Sequence, residues 1–426
     1  MIIIVVLVLL TLLGAPLFAA ILASTMFGFH SEGVNLSAVA IEIYRIADMP
    51  VLVAIPLFTF AGYLLGESQA PRRLVRVTNA LVGWLPGGLA IVALLASALF
   101  TAFTGASGAT IVALGALLYP ALQQAGYSER FNLGLITTSG SLGLLFAPSL
   151  PLILYGIIAE QMNLSQTVTV DRMFLAGILP GALMLGLLAA WSLWENRRLD
   201  LPLKEFSWRE LGAALRESIW EIPLPFIVLG GVYGGYLALS EAAAVTAFYV
   251  LIVEVFVYRE IGWRRLARIM SDSMVLVGGL LIILGAAMAS TDYLIDAGLP
   301  TKLFALIKAH VSSPLAFLML LNLFLLVLGM MLEIFAAMII VVPLILPVAI
   351  GYGIDPVHLG IIFLANMQIG YFMPPVGMSL FIVSYRFNKP VDAIVRSSVP
   401  FFFILLLAVL IITYWPWLSL ALLPGR

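Results

Sequence analysis

Four positions recur in order along this chain. Pro120, Gly126, Gly143 and Pro148 are matched by Pro347, Gly353, Gly370 and Pro375, each 227 residues further on. In each set an apolar run reaches a Pro, a Gly turn follows six residues later, and the next apolar segment is interrupted between Gly and Pro. The interruptions read Gly143-Leu144-Leu145-Phe146-Ala147-Pro148 and Gly370-Tyr371-Phe372-Met373-Pro374-Pro375. Both fall inside hydrophobic segments, where a helix breaker is costly. Broken segments at matching positions of two halves point to the binding site of a secondary transporter.

The setting is a membrane. The chain is 63% hydrophobic and 10% charged, with a mean hydropathy of +1.13. Soluble domains carry about 25% charged residues. A net charge of −1 gives no reason to expect a nucleic acid or an acidic partner. Without cysteine there is no disulfide, thiolate nucleophile or Cys metal site. The first apolar segment, 2–24, has no basic leader and reads as a retained span.

A hydrocarbon core about 30 Å thick needs about 20 apolar residues per helix. Residues 2–24, 49–66, 173–194, 223–238, 240–258, 274–295 and 399–420 are expected to span, and 131–159 and 358–386 are expected to be broken helices. Residues 87–122 and 315–350 are apolar but interrupted, at Thr104–Thr110 and Gly329–Glu333, with arms short for a crossing. They read as re-entrant hairpins, because bare backbone at membrane depth needs protein or a water-filled cavity around it. The expected fold is an all-α polytopic membrane protein in one membrane domain, 1–426. It has a first repeat 1–194, an interfacial linker helix within 195–222 and a second repeat 223–426.

With the N-terminus inside, 16 of the 21 basic residues fall on cytoplasmic segments, as the positive-inside rule requires. Hairpin one then enters from the cytoplasm and hairpin two from outside, so the repeats are inverted. Two full spans in place of either hairpin would leave this charge pattern unchanged. In the linker, Trp208, Leu211, Leu215 and Ile219 share one helical face, which suits a helix lying in the interface or a solvated connection.

The chemistry on offer is that of oxygens and dipoles. No G-x-x-x-x-G-K-[ST] motif is present, so ATP does not drive this chain. His30, His310 and His358 sit near span ends and read as interfacial, and no His/Asp/Glu cluster has metal-ligand spacing. Ser107 has no base nearby in sequence, which argues against an intramembrane enzyme. Unwound Gly/Pro stretches expose carbonyls to a cation, and half-helix N-termini face an anion. Thr104, Ser107, Thr110, Ser139, Ser141 and Ser149 lie beside the first break; Asn366, Gln368 and Ser379 lie beside the second. Glu333 is a suspect because a charge at mid-helix costs about 2.5–3.5 kcal/mol on insertion scales. It reads equally as a brace to backbone N–H groups. Glu241 reads as a helix-start residue.

Several motifs resemble the large membrane subunit of TRAP (tripartite ATP-independent periplasmic) transporters, in the ion-transporter superfamily. They include Ile55-Pro56-Leu57-Phe58, Gly83-Trp84-Leu85-Pro86-Gly87-Gly88, and Gly105-Ala106-Ser107-Gly108. More specific are Gly230-Gly231-Val232-Tyr233-Gly234-Gly235 before Ser240-Glu241-Ala242-Ala243, and Gly353-Ile354-Asp355-Pro356-Val357-His358 before Pro374-Pro375-Val376-Gly377. The chain departs from the family's habit at Ala109, Ala147, Ser240 and Glu333, where Ser, Pro, Thr and Asp are common. The resemblance implies a Na+-coupled elevator-type importer of organic acids in the bacterial inner membrane. It would act with a small four-helix membrane subunit and a periplasmic substrate-binding protein.

On this basis the substrate, a C4-dicarboxylate or a sialic acid among the candidates, is expected near Thr104, Ser107, Pro148, Ser149, Glu333, Pro375, Gly377 and Ser379. Na+ is expected beside it, at Ser107, Gly140 and Gly143 in one repeat and at Gly329, Asn366, Gln368 and Gly370 in the other. A stand-alone carboxylate carrier of the same superfamily, needing no binding protein, is the alternative. The binding protein would dock on the outer loops, 25–48, 160–172 and 296–311.

Overall fold

A computed structural model describes residues 15–31, 33–45, 49–85, 87–162, 168–197 and 205–423, and every regular element in them is helical. Most of the proposed first span, 2–24, lies outside the described residues. In chain order the helices begin with α1 (Leu17–Ser31), α2 (Ser37–Arg45), α3 (Ala54–Glu67) and α4 (Ala70–Val82). Then come α5 (Gly88–Thr104), α6 (Ser107–Gln124), α7 (Glu129–Ser139), a 3-10 turn Leu142–Leu145 and α8 (Leu150–Gln161). They continue with α9 (Val170–Glu195), α10 (Trp208–Glu217), α11 (Pro223–Tyr233), α12 (Leu239–Leu251) and α13 (Trp263–Asp296). The rest are α14 (Leu299–His310), α15 (Pro314–Met331), α16 (Ile334–Gly351), α17 (Pro356–Gly370), α18 (Met378–Phe387), α19 (Val391–Tyr414) and α20 (Trp417–Leu420).

Among the described residues seven helices are long and apolar enough to cross a membrane, or eight if the bent pair 129–145 and 150–161 is one span. The two interrupted regions are helix pairs, α5/α6 and α15/α16, and both broken helices are present as α7/α8 and α17/α18. Three expectations are corrected. The span expected at 223–238 is the short helix α11, because Gly234 and Gly235 end it and Gly235 takes φ +70°. The arms α15 and α16, at 18 residues each, are long enough to cross, so they are not short arms. The outer segments are not plain loops: α2 and α14 form there, α14 starting after Gly298 at φ +65° with Pro300 in its first turn.

Local chemistry sets the matched helix ends. α6 closes with Gly126 at φ +91°, Gly126 N–H donating to Gln123 O and Tyr127 N–H to Leu122 O. α16 closes in the same way, with Gly353 at φ +77°, Gly353 N–H donating to Ile350 O and Ile354 N–H to Ala349 O. Only glycine takes that left-handed turn cheaply, and the two bonds satisfy otherwise orphaned carbonyls. The next helices start alike: Ser128 Oγ accepts from Phe131 N–H at 3.2 Å, and Asp355 Oδ1 accepts from Val357 N–H at 2.9 Å. Such caps are worth about 1 kcal/mol each.

Packing is reciprocal between the two sets. α6 lies on α18 while α16 lies on α8, and α7 lies on α19 while α17 lies on α9. These elements share the main buried core. Around them α13 holds α1, α2 and α3, and α12 packs along α3. α10 lies against α4, burying Leu211 and Ala214 and leaving Trp208, Leu215 and Ile219 exposed.

Candidate functional site

The two breaks meet. Ser141 Oγ donates to Gln368 O at 3.2 Å, and these residues are 227 apart, the displacement of the sequence repeat itself. Each break also receives the first arm of its own hairpin at backbone contact. A Cβ on Gly143 would sit 2.5 Å from Ala102 N, and one on Gly370 would sit 2.4 Å from the carbonyl carbon of Gly329. Ala102 and Gly329 are themselves counterparts in the repeat. Both prolines of the breaks follow cis peptide bonds, Ala147–Pro148 and Pro374–Pro375.

The first hairpin turns at Gly105, φ +63°, whose missing side chain makes room for Leu150 at the head of α8. Ser107 begins α6 with its carbonyl facing Gly140: a Cβ on Gly140 would lie 3.2 Å from Ser107 O. Gly108 leaves space for Ile382 of α18. Thr101 Oγ1 lies 2.7 Å from Ser97 O, 2.7 Å from Thr110 Oγ1 and 2.9 Å from Gly140 O. One hydroxyl proton serves only one of the two carbonyls. Ser97 O lies within α5 and can take the helical N–H of Thr101, so Gly140 O is the carbonyl that depends on this proton. Thr104 is buried, its hydroxyl spent on Phe100 O at 3.1 Å. Ser149 is fully buried and its Oγ has no partner among the described residues.

At the second hairpin Glu333 is the N-cap of α16. Its Oε2 accepts from Phe335 N–H at 2.9 Å and Ala336 N–H at 3.3 Å. Tyr371 OH donates to the other oxygen at 3.3 Å and accepts from Ile334 N–H at 2.9 Å. Glu333 thus braces backbone N–H groups. The matching position at the first tip is Ala106, which has no side chain to cap α6. Gly329 and Gly370 touch, as described, and Val376 N–H donates to Met330 O at 3.2 Å. Asn366 and Gln368 are fully buried, and Asn366 Oδ1 and Gln368 Oε1 accept from no donor among the described residues. They point apart: Asn366 Nδ2 donates to Asn322 Oδ1 at 2.6 Å, whereas Gln368 Nε2 faces Met184 Sδ at 3.9 Å. Pro375 is exposed, Pro148, Gly377 and Ser379 are buried, and Ser379 Oγ is unpartnered among the described residues.

His358 is not interfacial. It is 2% exposed, with Nδ1 3.1 Å from Ser419 Oγ and Nε2 3.2 Å from Thr413 O. Packing of α17 against α19 and α20 covers it. Sequence reasoning also missed Thr101, and it missed Asn322 and Thr413, which form a buried seam with Asn366. A lone Asn in the apolar run 314–331 was the signal for Asn322. Glu241 acts as expected, accepting from Ala238 N–H at 2.8 Å at the start of α12.

Helix pairs packed on broken helices, inside a frame of apolar helices, define a polytopic α-helical membrane protein with one group of its buried polar residues at the two breaks. The chain belongs to the family described as "Tripartite ATP-independent periplasmic transporter, DctM component", whose profile matches residues 2–418. It is 36% identical to the C4-dicarboxylate TRAP transporter large permease protein DctM of Pseudomonas aeruginosa, over 94% of this chain and 92% of that one. It is 32% identical to the isethionate TRAP transporter permease protein DctMQ of Oleidesulfovibrio alaskensis, over 86% of this chain and 57% of that longer one. The fold is similar to the crystal structure of the Alcanivorax borkumensis YdaH transporter, with a TM-score of 0.64 at 17% identity, covering 91% of this chain and 89% of that one. The relatives are permease subunits, which sets aside the intramembrane-enzyme alternative.

Proposed function

We propose that this chain is the transporting subunit of a Na+-coupled importer of small organic acids in the bacterial inner membrane. It works with a small membrane subunit and a periplasmic binding protein, and carries its site by an elevator movement of both hairpins and both broken helices. The observation that carries this reading is the meeting of Ser141 with Gln368, its own counterpart in the repeat. Contact between equivalent residues is what a two-fold axis through the breaks produces, and an inverted repeat puts the binding site there. The reciprocal helix packing supports the same axis.

The substrate anion binds at the first tip. α6 begins at Ser107 with no side-chain cap, so its N–H groups and dipole are left for a carboxylate. The second tip has already taken the carboxylate of Glu333. Na+ suits the oxygens of Thr101, Thr110, Ser107 and Gly140 in one repeat, and those of Gly329, Gly370 and either Asn366 or Gln368, which point apart, in the other. Bound Na+ would offset substrate charge. The relatives named for C4-dicarboxylates and isethionate support a small acid, with C4-dicarboxylates the first class to test. The extra length of the isethionate relative is consistent with a second membrane unit joined to it.

Uptake into liposomes holding the chain and its small subunit tests this. The binding protein is supplied with radiolabelled C4-dicarboxylate, with and without an inward Na+ gradient. Accumulation is expected only with both. Accumulation without the binding protein would favour the stand-alone carrier, and accumulation indifferent to Na+ would remove the coupling.

A further inference from the structure

Asn366 and Gly370, four residues apart on α17, share one helical face. That face packs on α15, whose Gly329 touches Gly370 and whose Asn322 meets Asn366. Asn322 stands seven residues before Gly329, on the same side of α15 and about 10 Å back along it. Thr413 of α19 closes the group from behind, and of Asn322, Asn366 and Thr413 none is more than 4% exposed. Gln368, two residues from Asn366, is turned about 200° around α17, towards Met184 of α9.

The hydrogen bonds fix which way each amide faces. Ile362 O can only accept, so the amide atom of Asn366 lying 2.8 Å from it is the nitrogen. The second proton of that nitrogen goes to Asn322 Oδ1 at 2.6 Å, which fixes the Asn322 amide in turn. Thr413 Oγ1 steadies Asn322, 3.1 Å from its Nδ2 and 3.2 Å from its Oδ1. Both protons of the Asn366 amide are therefore spent, and turning it over would set acceptor against acceptor. Its oxygen stays buried, with no donor among the described residues. Gln368 Oε1 lacks a donor too, but its amide is steadied only by a sulfur at 3.9 Å, a weak acceptor. An amide oxygen that is held, unpaired and on the face of the Gly329–Gly370 contact suits a hard cation.

We propose that Asn366, rather than Gln368, gives the second repeat's Na+ its side-chain oxygen, and that Asn322, with Thr413, is the positioning residue that holds it. The assignment rests on the Na+ coupling proposed above. Its test reads binding without transport. The apparent melting temperature of the chain with its small subunit is followed as NaCl replaces KCl at constant ionic strength. Na+ should stabilise the unmodified complex. Asn322→Leu should raise the half-saturating Na+ concentration roughly tenfold, as loss of a group that orients a metal ligand does. Asn322→Asp, which keeps the shape and the acceptor, should recover most of that loss. Asn366→Ala should raise the concentration more than Gln368→Ala. An Asn322→Leu complex that melts lower yet keeps the unmodified half-saturation gives the seam a purely structural role and overturns the proposal. A larger effect of Gln368→Ala than of Asn366→Ala overturns it as well, and needs no Asn322 variant to fold. Absence of any Na+ effect on the unmodified complex would instead remove Na+ coupling itself, and this assignment with it.

Discussion

At the scale of single residues, two glycines and one threonine decide how the breaks are held. Gly143 and Gly370 let one backbone rest on another, and no side chain fits there. Gly370→Ala would put a carbon 2.4 Å from Gly329 backbone, so overpacking of about 1–3 kcal/mol is expected. A fall in apparent melting temperature with lost uptake would show it; unchanged uptake would refute the contact. Thr101→Val removes a hydroxyl from the oxygen cluster. The expected result is a several-fold rise in the Na+ concentration giving half-maximal uptake, with Thr101→Ser near normal. Gly143, Gly370 and Ser107 were legible in the sequence because Gly, Pro and Ser are costly in an apolar run. Thr101 was not, because a threonine bonded to its own helix is ordinary. Neither was the burial of His358, whose partners lie 55 and 61 residues away.

At the scale of elements, the ends of helices carry the distinctions. Glu333→Ala should cost about 1 kcal/mol, the worth of an N-cap, while Glu333→Gln keeps an acceptor and should cost less; melting curves of the purified variants decide. The joint between α4, the linker and α12 separates two kinds of ion pair. Arg76 meets Glu210 at 2.8 Å and also Glu217, all well exposed, so Arg76→Ala should cost less than about 1 kcal/mol. Arg73 is 4% exposed, against Glu221, Glu254 and Glu260, and stacks over Tyr258. Removing it strands three carboxylates, so Arg73→Ala should unfold the joint. Burial pushes the Glu221 carboxyl up from 4.5 to about 7, with Arg73 pulling the other way. A folded state that holds a proton the unfolded chain has released loses stability as pH rises. The apparent melting temperature should therefore drop between about pH 4.5 and 7, and Glu221→Gln should flatten that drop. The helices themselves were largely legible, since long apolar runs and Gly/Pro punctuation define them. α11 came out short because a Gly pair acts on φ, which hydropathy does not sense.

At the scale of the whole molecule, the elevator reading requires the hairpin arm α5 to leave its present place on α3. A Cβ at Gly66 would lie 3.8 Å from the ring of Phe100. The contact is with the tip of the ring, too far from the Phe100 Cβ for a direct disulfide. The chain has no cysteine of its own, so a Gly66→Cys, Phe100→Cys pair can be bridged without background by a short bifunctional methanethiosulfonate reagent. Cross-linking should arrest uptake and reduction should restore it; uptake that continues while cross-linked would mean these helices do not part. The matching of Gly and Pro positions was legible in their spacing, but the contact of Ser141 with Gln368 was not, because only packing brings them together. The mismatch of Ala106 with Glu333 bears on the proposed two-fold relation. It is one of several differences between matched positions, since Ser107 corresponds to Ile334 and Thr101 to Leu328 at the same displacement. One carboxylate present at one end and absent at the other makes the two faces distinguishable. Under the proposed function gradients would fix the net direction of flow, and a carboxylate at one tip alone would let loading from outside and loading from inside run at different speeds.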